Sequence, residues 1–198
     1  MSNDAIVILN GARTPMGGFQ GALKDMSATE LGAAAIKAAV ERSGVSADSV
    51  DEVIMGCILT AGLGQGPARQ AMRKAGLPDA TGAVTINKLC GSGLKAVMQA
   101  HDGIKAGSFN VAVAGGMESM TNAPYIMPGS RGGYRMGHKE VKDHMFLDGL
   151  EDADTGKLMG MFAQEMADEK GYTREQMDEF AIESLNRALT AIKDNHFK

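Results

Sequence analysis

Tryptophan is absent from this 198-residue chain, aromatic residues make up only 5 % of it, and there are just two cysteines, Cys57 and Cys90. Two cysteines give no disulfide framework. That excludes the small secreted scaffolds built on one, and it suits a reducing compartment. Long apolar runs are missing too: none approaches the ~20 residues needed to span a bilayer. The opening Met1-Ser2-Asn3-Asp4 lacks the basic segment and apolar stretch of a secretory signal. These absences predict a cytoplasmic protein with no membrane partner. A large excess of one charge is also lacking. Twenty Lys and Arg against 24 Asp and Glu leave a formal charge of −4, which argues against a nucleic-acid partner and makes any attraction for an anionic ligand local. What is present is ordinary globular composition, 44 % hydrophobic and 22 % charged, in a length that allows one large domain or one and a fraction. The 26 glycines and 15 methionines supply backbone turns and soft apolar side chains.

Along the chain, Ile6-Val7-Ile8-Leu9 is a continuous apolar run closed by Asn10-Gly11, which predicts a strand buried on both faces. Ser27-Ala28-Thr29-Glu30 has capping-box spacing, and Gly44 is placed to end the helix that follows. Val53-Ile54-Met55 and Cys57-Ile58-Leu59 flank Gly56 in a second predicted strand, and Pro67 opens a short helix. A third strand leads into Cys90 and a helix over about 91–106, and Val111–Ala114 is a fourth. Strands alternating with helices predict a parallel or mixed sheet covered on both faces. From about 117 to 156 the chain is irregular and rich in Gly, Met, Pro and charge, which in a compact domain marks binding or assembly. Two helices follow. Thr173 and Gln176 box the second, and Met177, Phe180, Ala181, Leu185, Ala188, Leu189 and Ile192 share one of its faces.

Cys90 sits where a strand meets a glycine-rich helix start, Leu89-Cys90-Gly91-Ser92-Gly93. The first free N–H groups of a helix and its positive dipole end favour a negatively charged sulfur there. Gly91, Ser92 and Gly93 predict room for a substrate beside the sulfur. By position alone, a free cysteine is more often buried core.

The context changes that balance. Asn87-Lys88-Leu89-Cys90-Gly91-Ser92-Gly93-Leu94-Lys95-Ala96 closely resembles the nucleophile segment of the thiolases, the acyl-CoA acetyltransferases. Gly11-Ala12-Arg13-Thr14-Pro15, Ala114-Gly115-Gly116-Met117-Glu118-Ser119-Met120, Arg131-Gly132-Gly133, Met136-Gly137 and Asp148-Gly149-Leu150 resemble other family segments in the right order. The resemblance covers essentially the whole chain and reaches only the amino-terminal half of a thiolase. The Gly-His-Pro, Cys-Gly-Gly-Gly and Asn-Glu-Ala-Phe motifs of the second half do not occur.

The resemblance implies an α/β fold: a thiolase-like N-terminal domain over 1–118, a mixed sheet covered by helices on both faces, its final strand missing. Part of an inserted loop domain, which contacts coenzyme A and takes part in assembly, would occupy 119–198. It implies an enzyme in which Cys90 takes an acyl group from acyl-CoA. The acyl group is then condensed with acetyl-CoA, or the reverse cleavage of a 3-ketoacyl-CoA runs. The base, the second cysteine and further oxyanion donors would come from a C-terminal half, separate or missing, so that this chain alone is inactive. Leu150 and Met159 match positions lining the pantetheine and acyl tunnel. Leu158 departs from the family, since short-chain biosynthetic thiolases often carry histidine there, and this leaves longer or branched 3-ketoacyl substrates open. The implied partners are acyl-CoA, coenzyme A, the C-terminal half and further copies in an oligomer. No metal and no cofactor are expected, because thioester exchange asks for thiolate, base and oxyanion donors. A ketoacyl synthase-like condensing enzyme and a non-catalytic acyl-CoA-binding or assembly subunit are the alternatives.

Other candidates are weaker. His101 lies 11 residues beyond Cys90 on one helix, about 16 Å along its axis, out of reach of the thiol. His138 and His144 have no metal-site spacing, and His196 reads as surface. Cys57 reads as core. Gly62-Leu63-Gly64-Gln65-Gly66 lacks nucleotide-loop spacing and reads as a tight turn. Arg131, Arg135, His138, Lys139 and Lys142 form a modest basic cluster, read first as solvated surface and second as a contact for coenzyme A phosphates.

Overall fold

Local signals decide the helices. In a computed structural model that describes residues 5–196, helix α1 spans Ala28–Ser43. Both halves of its capping box are formed: the Ser27 N–H donates to Glu30 Oε2 at 2.8 Å, and the Glu30 N–H donates to Ser27 Oγ at 3.3 Å. Gly44 closes it in the left-handed conformation. Met1–Asp4, read above for a signal, lie outside the described residues.

The chain divides into two compact units, Met1–Gly149 and Leu150–Lys198. In the first, strands β1 (Glu52–Gly56), β2 (Gly82–Ile86) and β3 (Ala112–Gly116) form a sheet in the order β2-β1-β3. Every pairing in it is parallel, so the antiparallel member of a mixed sheet is not among these three strands. Helix α2 (Pro67–Lys74) connects β1 to β2, and α3 (Ser92–Ala106) connects β2 to β3. On one face Val53 and Met55 pack with Ile36, Ala68, Ala71 and Met72 of α1 and α2. On the other, Ile54 packs with Ala96 and Ala100 of α3. The alternation along β1 is the pleat of a central strand covered on both sides. The α/β class with helices on both faces is as expected.

Two expectations about strands fail. Ile6–Leu9 forms no strand, and Val7, Ile8 and Leu9 are exposed. An apolar run states a preference for burial, but a strand also needs a neighbour to hydrogen-bond, and no described segment pairs with this one. The second strand stops at Gly56; the Cys57 N–H still donates to the Ile86 carbonyl at 3.0 Å, but the Ile58 and Leu59 N–H groups turn to a carboxylate described below.

Asp51 ties the amino ends of the strands together. Its Oδ2 accepts from the N–H groups of Val111 (3.0 Å) and Asn110 (2.8 Å), and its carbonyl accepts from Gly82 N–H at 2.9 Å. Those two N–H donors hold its carboxyl below the usual carboxylate range. Beyond β3, short strands β4 (Tyr125–Ile126) and β5 (Lys142–Asp143) pair antiparallel, and a π-helical turn covers Phe146–Leu150. The second unit carries α4 (Met159–Lys170) and α5 (Arg174–Lys193). The Thr173–Gln176 box of α5 is formed, yet Phe180, Leu185, Leu189 and Ile192 of its apolar stripe are exposed.

Candidate active site

The approach to Cys90 is a tight, internally bonded turn at the carboxyl end of the sheet. After β2, Asn87 Oδ1 accepts from the Leu89 N–H at 2.9 Å, an Asx turn. Leu89 then adopts φ +48°, a left-handed conformation that costs a residue with a Cβ about 1–2 kcal/mol. The Gly91 N–H donates to the Lys88 carbonyl (3.1 Å) and the Ser92 N–H to the Leu89 carbonyl (3.0 Å). Ser92 Oγ accepts from the Lys88 N–H at 2.8 Å and donates to the Leu89 carbonyl at 2.6 Å. The N–H groups of Lys88, Leu89, Gly91 and Ser92 are thus occupied within the turn; that of Cys90 is not among them. The Cys90 thiol is unpaired and exposed, just before the first turn of α3, whose N-cap Gly91 makes no side-chain cap bond.

The small residues after Cys90 do not all serve the purpose expected of them. Gly91 is exposed, but Ser92 is only 5 % exposed and turns toward the sheet. A Cβ added to Gly56 would lie 2.5 Å from the Ser92 Cβ, so Gly56 is the gap into which the start of α3 fits. Gly93 approaches Gly116, with 3.7 Å from an added Cβ to the Gly116 N. Close seating of the helix, rather than room for a substrate, explains Ser92.

The ends of the other strands are fixed by Glu118, whose side chain the sequence singled out only as part of a matching segment. Its carboxylate accepts from the N–H groups of Ile58 (2.8 Å) and Leu59 (3.1 Å) and from the Cys57 thiol (3.4 Å). Burial first, and then the adjacent Glu118 charge, push the Cys57 thiol up to about 12. Cys57 is core, as expected, and holds its proton.

His144 is buried rather than a loose member of an irregular stretch. Its Nδ1 lies 2.5 Å from Asp148 Oδ2, and its Nε2 accepts from the Ala61 N–H at 3.4 Å. Nδ1 therefore carries the donated proton. The i, i+4 spacing of His144 and Asp148 was the available signal. His101 is exposed beside Asp102, and His196 lies near Asp194. Arg131, Arg135, His138, Lys139 and Lys142 are all exposed, with Lys142 beside Glu140 and Lys139 over the Tyr134 ring. Gly62, Gly64 and Gly66 have positive φ, and Gln70 Nε2 donates to the Leu63 and Gln65 carbonyls, making the tight turn expected there. A groove of about 530 Å³ is lined by Cys57, Thr60, Pro67, Thr85 and Asn87 among others; Cys90 does not line it.

Leu150 and Met159 belong to the second unit. The Glu151–Leu158 antiparallel bridge brings them to adjacent ends of one loop, which the Asp152 N–H closes onto the Lys157 carbonyl at 2.9 Å. Met159 is the first residue of α4 and is exposed. Among the described residues no group of His, Cys, Asp and Glu could hold a metal ion, and no helix is long and apolar enough to cross a membrane.

The family model for the thiolase N-terminal domain matches residues 6–198. The chain belongs to the thiolase family. It is 54 % identical to an acetyl-CoA acetyltransferase of Cupriavidus necator over 97 % of this chain and 49 % of that protein. To an acetyl-CoA acetyltransferase of Rhizobium meliloti it is 52 % identical, over all of this chain and 50 % of the relative. Its fold matches the Acat5 thiolase of Ascaris suum, solved in complex with coenzyme A, with TM-score 0.88 and 38 % identity over 95 % of this chain and 49 % of that one. This thiolase-family chain spans about half the length of the curated relatives it matches.

Proposed function

We propose that the chain is the Cys90-bearing half of an acyl-CoA C-acetyltransferase. The observation that carries the reading is an exposed, unpaired thiol at the head of α3 in a turn whose other N–H groups are bonded internally. Cys90 Sγ, as thiolate, attacks the thioester carbonyl of an acyl-CoA. The tetrahedral oxyanion takes a hydrogen bond from the Cys90 N–H and then expels the coenzyme A thiolate, which picks up a proton. In the second half-reaction acetyl-CoA loses an α-proton to a base, and its carbanion attacks the acyl-enzyme carbonyl. A new carbon–carbon bond forms and Cys90 is released. Thiolytic cleavage of a 3-ketoacyl-CoA is the same path reversed.

No described histidine meets Cys90, and His101 is engaged with Asp102. We assign the base and the remaining oxyanion donors to the complementary half, which makes the isolated chain inactive in the full cycle. The half-length match to acetyl-CoA acetyltransferases supports that partner. In this reading 1–118 form the nucleophile-bearing domain, and 119–198 part of a loop domain that meets coenzyme A and other subunits. Leu150 and Met159 line the acyl path, and Leu158 at the N-cap of α4 leaves acyl groups longer or more branched than acetoacetyl open. A free exposed thiol fits a cytoplasmic setting.

Native mass spectrometry tests the reading. The chain combined with its complementary half and acetyl-CoA should gain one acetyl group per copy, and Cys90→Ala should gain none. Acetylation that survives Cys90→Ala overturns the assignment, and a complex that never acetylates makes this a binding or assembly subunit.

A further inference from the structure

The turn before α3 contains a strained residue and a side chain placed to hold it. Leu89 has φ +48° and is 56 % exposed, so burial does not fix the conformation. The Leu89 carbonyl instead receives two donors, the Ser92 Oγ–H at 2.6 Å and the Ser92 N–H at 3.0 Å, while the same Oγ accepts from the Lys88 N–H at 2.8 Å. One hydroxyl thereby bridges the Asn87–Lys88 and Leu89–Cys90 peptide groups, which bracket Lys88 and Leu89. The Ser92 Cβ is itself seated against the Gly56 backbone, where no other residue would leave space. Cys90 lies between the clamped residue and the clamp, so the direction of its Sγ and N–H follows from the geometry of that pair.

We infer that Ser92 is a positioning residue for acyl transfer: it holds Leu89 in the left-handed conformation and so fixes where the Cys90 sulfur and N–H point. The inference rests on the reading of Cys90 as acyl acceptor. Ser92 touches no reacting atom and acts through Leu89. Without its hydroxyl, Leu89 relaxes toward negative φ, which rotates the following peptide and moves the Cys90 N–H off the oxyanion. A glycine at 89 has no Cβ to strain and keeps the left-handed conformation without the clamp.

The test measures acetyl transfer from acetyl-CoA to Cys90 in the assembly of this chain with its complementary half, for wild type, Cys90→Ala, Ser92→Ala, and Ser92→Ala combined with Leu89→Gly. Ser92→Ala should lower the maximal acylation rate on the order of 100-fold, the scale of a misplaced reacting group, without changing the half-saturating acetyl-CoA concentration. Leu89→Gly should restore most of that rate. A purely packing role for Ser92 would not be rescued at position 89. Wild-type rates in Ser92→Ala, with none in Cys90→Ala, overturn the inference and leave the Cys90 reading standing. Acylation that persists in Cys90→Ala overturns both. If Ser92→Ala does not fold, the double variant decides. Recovery of folding and acylation supports the clamp; failure of either overturns it, since Ser92 would then be holding something other than Leu89.

Discussion

Cys57 and Cys90 carry the same functional group in opposite surroundings, and burial first, then one neighbouring carboxylate, sets Cys57 apart. Cys57 is buried and donates to the Glu118 carboxylate, whereas Cys90 is exposed and unpaired. Iodoacetamide should therefore alkylate Cys90 in the folded chain and spare Cys57, with both modified in urea; peptide mapping reads the two sites separately. Cys57 also makes stability depend on alkaline pH. Its proton is held to about 12 in the folded state against 9.0 for an ordinary thiol, so the unfolded chain releases that proton first as pH rises. The contribution is complete below the unfolded value and is lost as pH climbs through the folded one. Urea midpoints of wild type and Cys57→Ala should therefore converge between about pH 9 and pH 12. A difference between them that stays constant with pH would count against the buried thiol.

Among the elements, close approaches of β1, β3 and α3 position the site, and they make unequal demands. Gly56→Ala would drive a Cβ to 2.5 Å from Ser92 Cβ and 2.6 Å from its backbone carbon, whereas an added Cβ on Gly93 meets nothing nearer than 3.7 Å. Gly56→Ala should cost about 1–3 kcal/mol, typical of overpacking, and slow acylation of Cys90. Gly93→Ala should do neither, and equal unfolding midpoints for the two variants would show that α3 is not seated on Gly56. At the other end of the strands, the lowered Asp51 carboxyl contributes stability that is present above its ordinary value of 3.8 and lost as pH falls through the folded one. Asp51→Asn should be less stable at neutral pH and should lose less than wild type on acidification, as followed by circular dichroism. The sequence made the helices legible because their signals are local: Ser27 with Glu30, Thr173 with Gln176, Gly44 after the last turn. It made the Cys90 segment legible through its likeness to a family. It did not reveal that Ile6–Leu9 would find no strand partner, that Glu118 would reach back to Ile58 and Leu59, or that Leu89 would turn left-handed. The first two depend on residues far apart in the chain. The third depends on the sign of one dihedral angle, which Ser92 helps to set.

At the scale of the whole molecule, α3 is covered on one side only, and α5 has no buried residue at all. α3 turns its small residues Ser92, Ala96 and Ala100 to the sheet and leaves Leu94, Val97 and Met98 exposed, while α5 leaves Phe180, Leu185, Leu189 and Ile192 exposed. Large apolar side chains at i, i+3 and i+4 on an outer face are the pattern of a helix with a second layer to meet. The curated relatives are about twice as long as this chain, which gives the complementary half proposed above enough polypeptide to form such a layer. Two consequences follow for the chain in solution. Alone, it should self-associate, with an apparent mass by light scattering that grows with concentration, because uncovered apolar area drives contact between copies. With the complementary half present, that growth should stop at a defined complex, and Leu94→Glu on α3 should weaken its formation without changing the helix content of the chain. A lone chain that stays monomeric at every concentration, or a complex indifferent to a charge at Leu94, would show that the outer face of α3 is not where the other half binds.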